Sequence, residues 1–145
     1  MVINDPEIVA ELAALYPKYE AALVTNNAET LIAMFWNSEH ALRFGAAENL
    51  HGFEEISDFR KGRPAVNLAR TINRLDIVTF GRDIGSITLE FSREVDGRTI
   101  HGRQSQVWVR LAEGWRIVSA HVSLLPQRSG EAACPTSEEA APSAL

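Results

Sequence analysis

Four long segments, residues 71–80, 84–95, 99–111 and 115–124, follow one another almost without interruption and are rich in β-branched and aromatic residues. Such side chains fit a pleated, half-buried surface. The connections between the segments leave room only for reversals of direction. Asp96-Gly97 is a strong hairpin signal because both residues tolerate positive φ, Gly81-Arg82-Asp83 is a second turn, and Ala112-Glu113-Gly114 closes the last pair. The second half of the chain is therefore a meander of antiparallel strands, and one face of that sheet needs a covering layer.

The layer comes from the residues before it. Asp5-Pro6-Glu7 reads as a helix start, with Asp5 capping free amides, Pro6 at the first helical position and Glu7 on the positive end of the dipole. Ile8, Leu12, Leu15, Tyr16, Tyr19 and Leu23 then recur at steps of three and four, which places them on one face and points Tyr19 inward. Pro17 lies inside the pattern and is expected to kink the helix or split it. A second short helix runs from Asn27, its cap, through Leu31 and Met34. The third is expected over 52–61, with Phe53, Ile56 and Phe59 as its buried stripe and Gly62 as its stop. With a short extended segment at 40–46, this order predicts an α+β fold: N-terminal helices packed on one face of a curved antiparallel sheet.

Composition narrows the partners. A length of 145 residues with 46% hydrophobic content suits one domain with a real core. Residues 1–126 are expected to form it. The stretch 127–145, rich in Ala, Ser, Pro and Glu, has no apolar periodicity and reads as a mobile tail. The net charge of -5 argues against a nucleic-acid partner. The longest apolar run, 31–36, is far below the roughly 20 residues that cross a bilayer, so no membrane partner is expected, and the N-terminus has no leader character. A single cysteine, Cys134, offers neither an internal disulfide nor a metal site. The expected location is cytoplasmic. No P-loop, dinucleotide fingerprint or zinc-ligand spacing is evident, so no cofactor is expected.

A sheet wrapped around helices encloses a mouth that can hold a small ligand, so inward-pointing polar side chains are the candidates. Arg43 alternates with Leu42 and Phe44, which sends its guanidinium either into a pocket or onto the surface of an edge strand. Gln104, Gln106 and Trp108 share one face. They form a polar patch over an apolar floor, or the amides simply bond across the sheet. Glu90 is a further candidate for the interior, where it would need a partner such as Arg43 or would sit protonated. His121 and Ser123 share a face of the last segment, but a bulge near 112–114 would reverse it, and a structural or interface histidine is the plainer reading. Arg60, Lys61 and Arg63 cluster at a helix end that is ordinarily solvated. Arg63, between Gly62 and Pro64, has a direction set by a stiffened turn and can reach a carboxylate with two hydrogen bonds.

Several of these residues also carry a likeness to a known family. They are Tyr19 within the run 18–24, Phe35-Trp36, the run 43–52 opening Arg43-Phe44-Gly45, Gly102-Arg103-Gln104-Ser105-Gln106-Val107-Trp108, and the run 114–123 opening Gly114-Trp115-Arg116-Ile117. Over about residues 2–125 the chain resembles the AtzH-like and HpxZ-like family of the nuclear transport factor 2-like (NTF2-like, SnoaL-like) superfamily. The resemblance implies a small cone-shaped homodimer associated with bacterial catabolism of cyanuric acid or oxalurate, with a link to amidase-type enzymes as a further partner. It also implies a metal-independent decarboxylating amidohydrolase that converts 1,3-dicarboxyurea to allophanate, with Tyr19 and Arg43 at the positions of the catalytic pair. Pro17 departs from the family's usual run before the tyrosine.

Chemistry fits that pairing. A phenol beside a guanidinium serves as acid or base, and a guanidinium holds a carboxylate in a two-bond fork. The expectation is an enzyme acting on a small anionic carboxyurea, with Tyr19 and Arg43 catalytic and Arg63 and Gln106 binding substrate. The alternative is a non-catalytic module that binds a small acid or serves an amidase in the same pathway. The outer sheet face, with Val107 and Val109, is expected to pair two copies.

Overall fold

The computed structural model describes residues 1–64 and 68–127; Cys134 and the stretch from 128 onward lie outside the described residues. Helix α1 (Pro6–Val24) opens as its sequence dictates, with the Asp5 carboxylate accepting from the Glu7 amide at 3.0 Å. Pro17 does not split it. The amide hydrogen that Pro17 lacks would have bonded the carbonyl of Ala13. Both residues lie on the exposed side, where water serves that carbonyl, so the buried face of Ile8, Leu12, Tyr16, Tyr19 and Leu23 continues unbroken. Helix α2 (Ala28–Ala33) follows, capped by Asn27.

Strands β1 (Leu42–Phe44) and β2 (Asn49–His51) form a small hairpin before helix α3 (Phe53–Gly62), and the second of these was not apparent from pattern. Three residues are too few to show alternation. Then come β3 (Thr71–Phe80), β4 (Ile84–Val95), β5 (Arg98–Leu111) and β6 (Gly114–Leu124). The turn at Asp96 and Gly97 takes positive φ at both residues, 51° and 76°, as a tight hairpin requires. One curved sheet results, in the order β2-β1-β6-β5-β4-β3.

The sheet is antiparallel except at one place. β1 runs parallel to β6, pairing Arg43 with Ala120, because a helix and four strands separate the two in sequence and the chain returns to the edge in the same sense. The helices cover the inner face. Their core with the sheet includes Leu12, Tyr19, Leu31, Phe35, Ile56, Ile87, Leu89, Phe91, Trp108 and Ile117. Among the described residues no helix is long and apolar enough to cross a membrane.

A shift of register in β6 decides which side chains reach the interior. Val107 pairs with Ser119 but Trp108 pairs with Ile117, so Val118 is the extra residue of a bulge. Ile117 before it and Ala120 and Val122 after it are all buried, while His121 is exposed. His121 therefore belongs to the outer face, its ring 5.9 Å from Phe44. Ser123 follows it there. Glu90 is also exposed, because Leu89 and Phe91 take the inward positions of β4 and alternation sends the residue between them to solvent.

Candidate functional site

Two polar groups lie beneath α1, surrounded by core. The first is built on Arg43, the middle residue of β1, whose neighbours Leu42 and Phe44 face outward. Its side chain is 1% exposed and its Nη1 donates to Glu48 Oε1 at 2.8 Å. Helix α3 contributes Arg60 one turn after Ile56, on the same buried face, and Arg63 caps that helix in an extended conformation that turns its side chain inward. The guanidiniums of Arg43, Arg60 and Arg63 stand 5.3, 5.8 and 5.1 Å from the centre of the Phe59 ring, so one aromatic face gathers three cations.

Tyr19 reaches the same place from α1. Arg60 Nη2 donates to its hydroxyl at 3.4 Å, which leaves the phenol's own proton without an acceptor among the described residues. Other donors are idle as well. Arg60 Nε and Nη1 and all three nitrogens of Arg63 are buried without a hydrogen-bond partner among the described residues. Burial, reinforced by the neighbouring arginines, lowers both guanidiniums from their ordinary value to about 10, so both remain charged at neutral pH. Taking such ions out of water without a counter-ion costs several kcal/mol each, about the range for buried charges in folded proteins. Packing alone gives no reason to keep them.

Gln106 lies in register with this group. The inward row reads Arg43 on β1, Ala120 on β6, Gln106 on β5. Two strand spacings, roughly 10 Å, separate Arg43 from Gln106, with the small side chain of Ala120 between them. Gln106 Oε1 accepts from Trp108 Nε1 at 2.9 Å, while its Nε2 has no partner among the described residues.

The second group is paired at all but one nitrogen, Arg70 Nη1, which has no hydrogen-bond partner among the described residues. Arg70 donates from Nε and Nη2 to the two oxygens of Glu20, both at 2.9 Å, and from Nη2 to Gln104 Oε1 at 2.9 Å. Tyr16 donates to Glu20 at 2.8 Å and accepts from Gln104 at 3.0 Å. Burial, with the Glu20 charge beside it, pushes the Tyr16 hydroxyl far above its usual range, so it stays neutral. Gln104 thus bonds to Tyr16 of α1 and to Arg70 just before β3, rather than across the sheet.

Of the residues expected from sequence, Tyr19, Arg43 and Arg63 meet in the first group and Gln106 lines up with it. Arg60, expected at a solvated helix end, is instead buried, and Glu48 and Arg70, which complete the picture, were missed. Arg60 had a signal, four residues after Ile56 on one helix face. Arg70 and Glu48 lie outside any periodic segment. Among the described residues no set of three or more His, Cys, Asp and Glu side chains could hold a metal ion.

The AtzH-like family model matches residues 1–128. This chain belongs to the AtzH-like family. Among solved structures, the AtzH-like chain is similar to a protein of unknown function from the DUF3225 family of Pectobacterium atrosepticum, at 44% identity over 85% of this chain and 94% of that one, with a TM-score of 0.80. A cystatin-like fold protein from Burkholderia xenovorans is 41% identical over 88% of this chain and 99% of that one, also with a TM-score of 0.80. An NTF2-like superfamily protein from Salmonella enterica, 19% identical over 90% and 99% of the two chains with a TM-score of 0.67, shares the fold. The AtzH-like chain is thus NTF2-like in architecture. No curated protein matches it.

Proposed function

We propose that this protein is a metal-independent hydrolase of a small anionic carboxyurea, releasing carbon dioxide from 1,3-dicarboxyurea to leave allophanate in cyanuric acid or oxalurate-type nitrogen catabolism. The observation that carries this reading is the Arg60 and Arg63 pair: buried cations with idle donors, beside a phenol whose proton is uncommitted. Arg63 and Arg60 bind carboxylate, Gln106 Nε2 bonds the urea carbonyl, and Arg43 orients the carboxylate that leaves. The C–N bond to one carboxylate breaks, its electron pair stays on nitrogen, and the Tyr19 hydroxyl supplies the proton that nitrogen needs. Carbon dioxide departs and takes up water to give bicarbonate, so that the net change is hydrolysis of the C–N bond, and solvent reprotonates the phenolate.

Tyr19→Phe removes only that oxygen. The variant is expected to keep its fold and lose about 10²-fold or more in kcat/KM on 1,3-dicarboxyurea, the usual yield of a general acid. Unchanged kcat/KM refutes the assignment. Anion binding by the wild-type chain without any allophanate formed would instead favour an accessory module serving an amidase.

Residues 1–126 are the proposed working domain, acting in the cytoplasm as a homodimer. Support for the dimer is the outer sheet face, where Leu42, Ile84 and Val107 are exposed beside a groove of about 400 Å³ lined by Thr88, Glu90, Arg103, Ser105, His121 and Ser123. That face is less apolar than Val107 and Val109 alone suggest. A monomeric mass by light scattering excludes the pairing.

A further inference from the structure

Among the described residues Glu48 is the one carboxylate that touches the arginine group, and two features of the local chain hold it there. The turn between β1 and β2 is closed by a bond from the Gly45 amide to the Glu48 carbonyl at 2.8 Å, which folds the Glu48 side chain back over the strand it has just left. Its carboxylate then lies against the backbone of Gly45. A Cβ at position 45 would overlap Glu48 Oε1, so the absence of a side chain at Gly45 makes the space the carboxylate fills. The geometry makes this a built contact between partners 1% and 15% exposed.

We propose that Glu48 determines the charge selectivity of this arginine group: by neutralising Arg43, it leaves two positive charges, on Arg60 and Arg63, and so matches the group to a ligand with two carboxylates. The inference rests on the anionic-substrate reading above and assigns the residue that tunes it. With Glu48 present, a third carboxylate on the ligand faces a negative neighbour. With Glu48 neutral, three cations face the ligand and each negative charge on it gains.

The test uses three unreactive probes of rising charge, acetate, malonate and tricarballylate, titrated by calorimetry into the full chain and into Glu48→Gln. An amide at this position keeps the size of the side chain and an oxygen for Arg43, so only the charge changes. The affinity of the variant relative to wild type is expected to rise about tenfold for each negative charge on the probe, the size of one nearby charge interaction at intermediate dielectric. Taking the ratio for each probe cancels differences in probe shape. A merely structural role would change all three ratios alike, and equal ratios overturn the proposal.

Gly45→Ala provides a second arm, used if Glu48→Gln does not fold. It displaces the carboxylate without deleting it and is expected to move the ratios in the same direction by less; ratios that do not rise with probe charge refute the assignment. Wild-type protein that binds none of the probes refutes the anionic-substrate reading and this inference together. Wild-type binding with charge-independent ratios refutes the role of Glu48 alone.

Discussion

Arg70 and the pair Arg60 and Arg63 are buried under the same helix, yet they have opposite surroundings. Arg70 has both oxygens of Glu20 and the carbonyl of Gln104. Although burial lowers its affinity for a proton, the bond and charge of Glu20 more than compensate, and its pKa is raised. Arg60 and Arg63 have burial and like-charged neighbours, and theirs fall to about 10. Even the tyrosines one helical turn apart divide in this way: Tyr16 has its proton held by Glu20, whereas Tyr19 only accepts. A guanidinium matched by fixed partners ties elements together. One left unmatched in a dry place is suited to a charge that arrives from outside.

The largest expected effect is on the matched side. Glu20→Gln should cost about 3 kcal/mol of unfolding free energy, the lower end for a buried pair deprived of one charge, since Glu20 retains some exposure. Urea denaturation reads it directly, and a loss below about 1 kcal/mol would mean that Arg70 does not depend on its partner.

On the unmatched side, Arg60→Met or Arg63→Met should leave stability unchanged or raise it by about 1 kcal/mol, because an uncompensated desolvated charge is removed. Either change should abolish the rise in Tm that malonate produces. A destabilisation as large as that of Glu20→Gln would erase the distinction between the groups.

The same contrast has a pH signature. Because burial and like-charged neighbours lower the folded pKa values of Arg60 and Arg63 to about 10, below the ordinary guanidinium value, their charges oppose folding at neutral pH, and that opposition is relieved as pH rises above about 10. The stabilisation gained from malonate must run the other way. It should be full at pH 7 to 8 and decline as pH passes about 10; a constant increment through pH 11 would contradict the lowered values.

The smallest effect separates the tyrosines. Tyr16→Phe should cost about 1 kcal/mol, one net hydrogen bond, and leave the malonate response intact, as measured by paired thermal melts. A lost response would place Tyr16 with the binding group.

Much of this architecture is legible in the residues themselves. The caps at Asp5 and Asn27, the hairpin at Asp96 and Gly97 and the spans of β3 and β4 follow from local stereochemistry, which acts over a few residues and leaves its mark in composition. Periodicity also points Tyr19 inward, while it leaves Arg43 either in a pocket or on the surface of an edge strand. It places Glu90 and His121 only relative to their neighbours, and the wrong choice of face for Glu90 is the cost of that ambiguity.

The sequence by itself determined the layer of helices, the meander of strands and the residue types from which a carboxylate site is made. Only the tertiary structure decided that Arg60 joins that site while Arg70 does not, that β1 returns parallel to β6, and that the bulge at Val118 sends His121 outward. The reason is physical. Conformational preference is a property of neighbouring residues, whereas the fate of a buried charge depends on whether a partner from a distant segment, as Glu20 is to Arg70, meets it within hydrogen-bonding distance.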